Sequence, residues 1–404
     1  MNLALFLTPT FTRLAQSAIV SKFLGLLAAG WNVHVFTPND GVQNWFYSAP
    51  ADQPQVAERI HELKMAASGA TWLQAWGDGF RHPLHSVQNW RRSRQLLDLD
   101  ARQFVDGRFL SQFEMLQPDL IHFECGFSAA KWHFLPKVLN CPMTVSLQAG
   151  ELDFLVGPGF FGKIWQEAAG IHLPSESARQ AALRYGLPAS LPYAVIPPAV
   201  DETFYDLGER PPLEKVGSLE RPLRLLSICK LAWSKGLEHA LMVVRLLLDQ
   251  GIHCEYDIIG SGPYADALHF AKMQLGVDGV VRFWGNQPRA QVRASLASAD
   301  VFLHTAVAEG FCYAALEAQA MHLPVVCSDA DGLPEFVAHE QTGFVLPRRD
   351  INGMAEKVKL LAENPALRQQ MGQAGRSRIK TQFQAARQSD AFADFYQKVL
   401  AGSQ

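Results

Sequence analysis

Short apolar runs alternate with longer amphipathic ones from the first residues onward. NLALFLTP is a compact apolar run. QSAIVSKFLGLLAAG follows, with apolar residues three and four apart, and then WNVHVFTP, another short run. The pattern predicts strand, helix, strand, and Gly30 directly after the helical run supplies its stop. Such an opening commits the chain to a parallel sheet. The later runs DLIHFE, PMTVSL, GIHLPS and YAVIPP fit strands buried on both faces.

A second opening begins near residue 222. RPLRLLSICKL predicts a strand, SKGLEHALMVVRLLLDQG an amphipathic helix and HCEYDIIGSG the next strand. VVRFWG, DVFLHT, LPVVCSD and TGFVLP continue the series. Between the two series lies DETFYDLGERPPLEKVGSLERP, rich in Pro, Gly and charge, as a linker is. The expected fold is α/β, with two Rossmann-like doubly wound parallel-sheet domains facing across a cleft. The first domain takes residues 1–200, the linker 201–221 and the second domain 222–385. Residues 386–404 form a last helix, placed against the first domain. Open α/β sheets bind ligands beyond the carboxyl ends of their strands, so the chemistry belongs in the loops that follow strands.

A length of 404 residues suits two cores, and 48% hydrophobic with 19% charged residues describes a globular protein. The net charge of -3 argues against nucleic acid as a partner. Cys125, Cys141, Cys229, Cys254, Cys312 and Cys327 form no CxxC pair and read as buried thiols in a reducing compartment. MNLALFLTPTF is too short and uncharged for a secretory signal, and Lys22 breaks the run AIVSKFLGLLAAG. The expectation is a cytoplasmic chain without a transmembrane span. The basic run 81–96, with Trp90 beside Arg91, Arg92 and Arg94, has two readings. One is a solvated helix face, the commoner meaning. The other is peripheral contact with an anionic membrane surface or acceptor.

Candidate chemistry gathers after the predicted strands of the second half. Glu309 and Glu317 stand eight residues apart in AEGFCYAALEAQAM, the first in a loop and the second in a helix. Eight helical residues span about 12 Å at 1.5 Å each. A glycosidase pair needs about 5 to 9.5 Å. The spacing suits two holds on one long polar ligand, with the N–H groups of Gly310, Phe311 and Cys312 facing the same space. The plainer alternative is a helix with one dipole-favoured acid and one solvated Glu. Lys230 and Lys235, before Gly236, could neutralise a diphosphate without a metal; two surface lysines are the alternative. Gly260 opens GSGP, a turn tight enough for backbone to approach a phosphate or sugar, or an ordinary βα turn. His122 ends an apolar strand of the first half, placed for a sugar hydroxyl or a proton, although a lone His is more often structural. GPGFFG at 157–162 matches GxGxxG but is not in the first βα unit and is interrupted by Pro158. Asp329-Ala330-Asp331 imitates a metal motif in a Gly/Pro loop, and no metal-ligand spacing occurs elsewhere.

Together these stretches resemble the retaining nucleotide-sugar glycosyltransferases of family 4, which have the GT-B fold. The resemblance rests on Glu309-GFCYAAL-Glu317, Lys230, Lys235-Gly236, GSGP, and GLPE followed by TGFVLP. IPPAVDETF is similar to the family's strand-and-linker signature. The likeness is close over 222–385 and looser before 200. It implies that Glu309 holds hydroxyls of the donor sugar and Glu317 the nucleotide ribose. It also implies that Lys230 and Lys235 bind the diphosphate and that no cofactor or metal is needed. The implied reaction transfers a hexose-type sugar to a glycan or lipid-linked acceptor. A GT-B epimerase and a non-catalytic nucleotide-sugar sensor are the alternatives. Four departures stand out. Lys230 replaces a common Arg, TPTFTRLAQS lacks the usual glycines, VSLQAGELD leaves Gln148 and Asp153 without a role, and Glu124 replaces a second His. A further departure is Asp331, which stands where relatives usually carry Gly before GLPE.

Overall fold

The apolar runs form two parallel sheets in the computed structural model, which describes residues 1–6, 16–38, 58–63, 116–147, 152, 159–208 and 214–402. The basic run 81–96, Gln148, Asp153 and most of the first loop lie outside the described residues.

The first sheet is built from β1 (Asn2–Phe6), α1 (Gln16–Ala28), β2 (Asn32–Pro38), β3 (Ile60–Leu63), β4 (Leu120–Phe123), α2 (Gly126–Trp132), α3 (Leu135–Leu139), β5 (Met143–Ser146), α4 (Phe160–Glu167), β6 (Gly170–Leu173), α5 (Glu176–Arg184) and β7 (Tyr193–Val195). The second follows with β8 (Leu223–Ile228), α6 (Leu237–Asp249), β9 (Cys254–Ile259), α7 (Ala265–Gln274), β10 (Val281–Gly285), α8 (Arg289–Ser298), β11 (Val301–His304), α9 (Tyr313–Ala320), β12 (Val325–Ser328), α10 (Leu333–Phe336), β13 (Gly343–Leu346), α11 (Ile351–Glu363), α12 (Pro365–Gln382) and α13 (Ala385–Gly402). The strand orders are β3-β2-β1-β4-β5-β6-β7 and β10-β9-β8-β11-β12-β13. Both sheets are doubly wound: each reverses its winding once, between β1 and β4 and between β8 and β11. Short, fully buried strands such as LIHF, MTVS and VVCS are what helices on both faces require.

Two compact units result. The first comprises Met1–Leu173, Ala181–Ile196 and Ser389–Gln404; the second comprises Pro174–Gln180 and Pro197–Gln388. In the first unit, Phe392, Phe395, Tyr396 and Val399 of α13 pack with Leu3, Leu5, Phe23, Leu26 and Val33. In the second, Val243 and Val244 of α6, Met354 and Val358 of α11, and Tyr256, Ile258, Leu303 and Val326 of the sheet share one core. All six cysteines are free and buried.

Residues 201–206, the start of the segment read as linker, are packed into the second unit. The Arg289 guanidinium lies 3.8 Å from the Phe204 ring centroid and 2.9 Å from Asp201, while Arg376 pairs with Asp206 at 2.9 Å. Asp201 and Asp206, two of the charges that marked the segment as linker, are paired with arginines distant in sequence.

Candidate functional site

The second unit's winding reverses between β8 and β11, and the loops after these two strands converge there. Open α/β sheets place ligands at such a point. The loop after β8 carries Lys235 in a single 3₁₀ turn, Trp233–Lys235, ended by Gly236. Gly236 has φ +56, and a Cβ there would lie 2.4 Å from the carbonyl oxygen of Thr305. Only glycine lets the two loops approach this closely. The Thr305 hydroxyl then donates to the Gly236 carbonyl at 2.8 Å, and the N–H groups of Val307 and Ala308 both donate to the Ser234 carbonyl.

This junction puts Lys235 Nζ 2.5 Å from Glu309 Oε2. His304 Nε2, at the end of β11, reaches the same oxygen at 2.8 Å. Glu309 is only 8% exposed, so its charge is held by these cations and not by water. Burial pushes the Glu309 carboxyl up, but Lys235 and His304 outweigh it and hold it below the usual range. Burial pulls Lys235 down, and Glu309 outweighs it, so the ammonium titrates above its ordinary value. His304 is likewise lifted against burial, to about 9, by Cys312 and Glu309. The cluster is an ionised carboxylate between two cations.

Cys312 is the N-cap of α9, and the N-terminus of that helix follows directly on Glu309 to Phe311. Among the described residues, none accepts from the N–H of Gly310, Phe311 or Cys312. Glu317 lies at the fifth residue of α9, about one turn in. Ala314 to Ala320 are all buried, so Glu317 is no solvated surface acid. Its side-chain neighbours are the Tyr205 hydroxyl, a hydrogen-bond partner, and Arg289. Burial raises its carboxyl to about 7 despite both. The same setting pushes the Tyr205 phenol well above its usual range, through burial first and Glu317 second.

Lys230 is exposed at the end of β8. Gly260 follows β9 with φ +133, and a Cβ would lie 1.8 Å from the Cys229 carbonyl. The GSGP turn is therefore pressed against the Lys230 segment, and the Leu231 N–H donates to the Ser261 carbonyl at 3.0 Å. The structure thus brings together Lys235, Glu309 and the N-terminus of α9 with Gly310, Phe311 and Cys312, and it places Lys230 beside Gly260.

His122 needs a correction. It is wholly buried in the first unit, with Nδ1 2.8 Å from the Thr144 hydroxyl and Nε2 2.9 Å from the Ser146 hydroxyl. Burial, helped by Lys22, lowers it to about 4, so it is neutral at pH 7. Both nitrogens are engaged, and a polar strand-end position turned out to be a polar core position. Sequence reasoning missed His304, Tyr205, Arg289 and Arg348, and it noticed Asp331 without giving it a role. For His304 a signal existed: it ends the strand VFLH five residues before Glu309.

His304, Glu309 and Cys312 place one potential metal ligand each within 4.8 Å of one another. A metal there would have to displace Lys235 and a protonated His304 from Glu309. Asp329 and Asp331 face Arg348, which approaches them at 3.5 and 3.0 Å, as a paired loop would.

A doubly wound two-sheet chain with lysines and a buried Glu at its second switch point has the fold of the GT-B glycosyltransferases. It matches the HepE structure from Anabaena in complex with UDP and glucose, with a TM-score of 0.71 over 98% of this chain and 100% of that one, at 14% identity. It matches sucrose-phosphate synthase from Thermosynechococcus elongatus with a TM-score of 0.71 over 99% of both chains, at 16% identity. Residues 212–378 match the family model of the group 1 glycosyl transferases. That segment contains Lys230, Lys235, Gly260, Glu309 and Glu317.

Among curated proteins, the chain is 33% identical over 172 residues to the amylovoran biosynthesis glycosyltransferase AmsK of Erwinia amylovora, covering 41% of this chain and 42% of the relative. It is 33% identical over 224 residues to a GDP-mannose-dependent phosphatidylinositol monomannoside mannosyltransferase of Mycobacterium tuberculosis, covering 52% of this chain and 57% of the relative. The chain thus spans about half the length of these relatives.

Proposed function

We propose that the protein is a retaining glycosyltransferase moving a hexose-type sugar from a nucleotide-sugar to a hydroxyl of a glycan or lipid-linked acceptor. The observation that carries this is Lys235 and Glu309 meeting at the switch point, beside the open N-terminus of α9. The relatives named above act in polysaccharide and glycolipid synthesis, which supports the acceptor class. Among the described residues, no helix is long and apolar enough to cross a membrane. We place the reaction in the cytoplasm, where a lipid-linked acceptor would be met at the membrane surface.

The mechanism follows from charge. A nucleoside diphosphate leaves carrying negative charge, and Lys235, Lys230 and the N–H groups from Gly310 to Cys312 supply donors for it. No metal is required for that balance. Both cationic contacts of Glu309 fall on Oε2, which leaves Oε1 to accept from a sugar hydroxyl. An ionised Glu309 so neutralised is a poor nucleophile and a good orienting group. That suits a front-face displacement, in which orientation and leaving-group stabilisation supply the rate.

Incubation with UDP-, GDP- and ADP-sugars, with nucleotide release as readout, tests the reading. Turnover of at least one donor, rising with added acceptor, is expected. Epimer formation from donor alone would reassign the protein as an epimerase, and binding without turnover would make it a sensor.

A pH dependence follows for Glu317 as the ribose contact. Ribose hydroxyls donate best to the ionised carboxylate, which forms as pH rises through about 7. Nucleotide affinity should therefore improve from pH 6 to pH 8, and the Glu317→Gln variant should bind weakly at both. The stability sign is opposite. A carboxyl whose folded value exceeds its unfolded value stabilises the fold below the unfolded value, and that contribution disappears as pH climbs through about 7. Calorimetric titration with nucleoside diphosphate checks the first effect, and a flat affinity across this range removes Glu317 from the ribose.

A further inference from the structure

We propose that Asp331 and Arg348 form a clamp that sets the Glu309 carboxylate, making both of them positioning residues for the transfer step. The kinetic half of this rests on the reading of Glu309 as the donor-sugar contact. The structural half does not.

Asp331 has φ +42, in the left-handed region where glycine is at ease and an L side chain is strained. A carboxylate kept in such a position is there for what it holds. Oδ2 accepts the backbone N–H of Glu309 at 3.0 Å. Oδ1 accepts from Arg348 Nη2 at 3.0 Å. The other arm of the guanidinium, Nη1, donates to the Val307 carbonyl at 3.0 Å. Arg348 is itself seated, because its N–H donates to Asp329 Oδ1 at 2.9 Å. The Gly332 N–H completes the set by donating to the Glu309 carbonyl at 2.9 Å.

The result is a catalytic loop with its backbone fastened on two sides. Ser234 accepts from Val307 and Ala308 on the Lys235 side. Asp331, Arg348 and Gly332 hold Val307 and Glu309 on the β12–β13 side. A residue whose N–H and C=O are both fixed has its side chain aimed. The clamp therefore sets the direction from which Glu309 meets Lys235, His304 and the ligand. A glycine at 331 would relieve the φ strain and release the Glu309 N–H. For a turn that serves shape alone, that exchange would be harmless.

Three variants of the full chain separate these roles. Asp331→Gly removes the clamp and the strain. Asp331→Asn keeps an acceptor for the Glu309 N–H and weakens the Arg348 pair. Arg348→Ala removes the other half. The first measurement needs no ligand: amide hydrogen exchange of peptides covering 307–311. Exchange at least about tenfold faster is expected in Asp331→Gly, which releases the Glu309 N–H, and a smaller acceleration in Arg348→Ala, which loosens Asp331 and the Val307 carbonyl. Unchanged exchange overturns the clamp.

The second measurement is kcat and KM with a nucleotide-sugar that the wild-type chain turns over. Asp331→Gly should lose about 10 to 100-fold in kcat, the scale of a small misplacement of a reacting group. Its donor KM should shift less than threefold (about a rotamer's worth of binding), and its melting temperature should be equal or higher. Asp331→Asn should fall between it and the wild type. An unchanged kcat in Asp331→Gly overturns the positioning role. If the wild-type chain turns over no donor, the proposed function fails, while the exchange measurement still decides the clamp. If Asp331→Gly does not fold, Asp331→Asn and Arg348→Ala carry both measurements.

Discussion

Glu309→Gln lowers kcat by about 10²–10³-fold, the range seen when one preorganised polar contact to a transition state is removed. The amide keeps the size of the side chain but loses its charge. Lys235 then has no carboxylate 2.5 Å away, and His304 loses its partner at 2.8 Å. Without Glu309, burial weighs more heavily against both cations, and the loop loses its electrostatic anchor. The sugar loses an ionised acceptor at the same time. Glu317→Ala gives the contrasting pattern, because Glu317 sits beside Tyr205 and Arg289, away from that cluster. It should raise the donor KM and weaken nucleotide binding, with a smaller effect on kcat. Steady-state kinetics on the two variants, with melting temperatures to control for folding, make the comparison. Equal and small effects from both would return these glutamates to ordinary helix chemistry.

Much of the frame was legible from periodicity, because a buried parallel strand must be short and continuously apolar. LRLLSI, VFLH, VVCS and GFVL all read as strands and form them. The loops after β8 and β11 were legible too, since a Lys-Gly pair and a Glu-Gly pair follow strands in sequence. Their meeting was not legible. It depends on β8 and β11 being neighbours although 72 residues lie between Ile228, the end of β8, and Val301, the start of β11. The same holds for Arg289 and Arg376, whose partners Asp201 and Asp206 look like linker charges until the chain folds. His122 failed in the other direction. A polar residue closing an apolar strand predicts exposure unless hydroxyls wait beside it, and Thr144 and Ser146 come from the neighbouring strand β5. Asp331 was visible as a departure from glycine, but its partner Arg348 lies beyond the next strand.

Lys22→Met destabilises the first unit by about 3–5 kcal/mol near pH 8, the cost of leaving one buried charge without its partner. Lys22 and Glu124 are 3% and 4% exposed and form a direct ion pair, with the ammonium 4.1 Å from the Phe392 ring centroid. Burial pulls the Lys22 ammonium down more than Glu124 lifts it, while Lys22 and His122 outweigh burial and hold Glu124 at about 2. These directions pull opposite ways on the net worth of the pair. The direct contact decides that both groups are charged at neutral pH, with Glu124 Oε2 also 3.8 Å from His122. In the wild type, the Glu124 contribution is present above its unfolded value near 4.5 and is lost as pH falls toward 2. Without Lys22 the sign reverses: burial raises the Glu124 carboxyl, so the variant is least stable at high pH and recovers as the carboxyl protonates. Denaturant unfolding at pH 5 and pH 8 should therefore show the larger loss at pH 8. Lys22→Met with Glu124→Leu should restore most of it, because an apolar pair of similar volume pays no desolvation. A Lys22→Met loss below about 1 kcal/mol at pH 8, or an equal loss at both pH values, would mean that water reaches the pair and that α1 and β4 are less tightly closed over it than the structure shows.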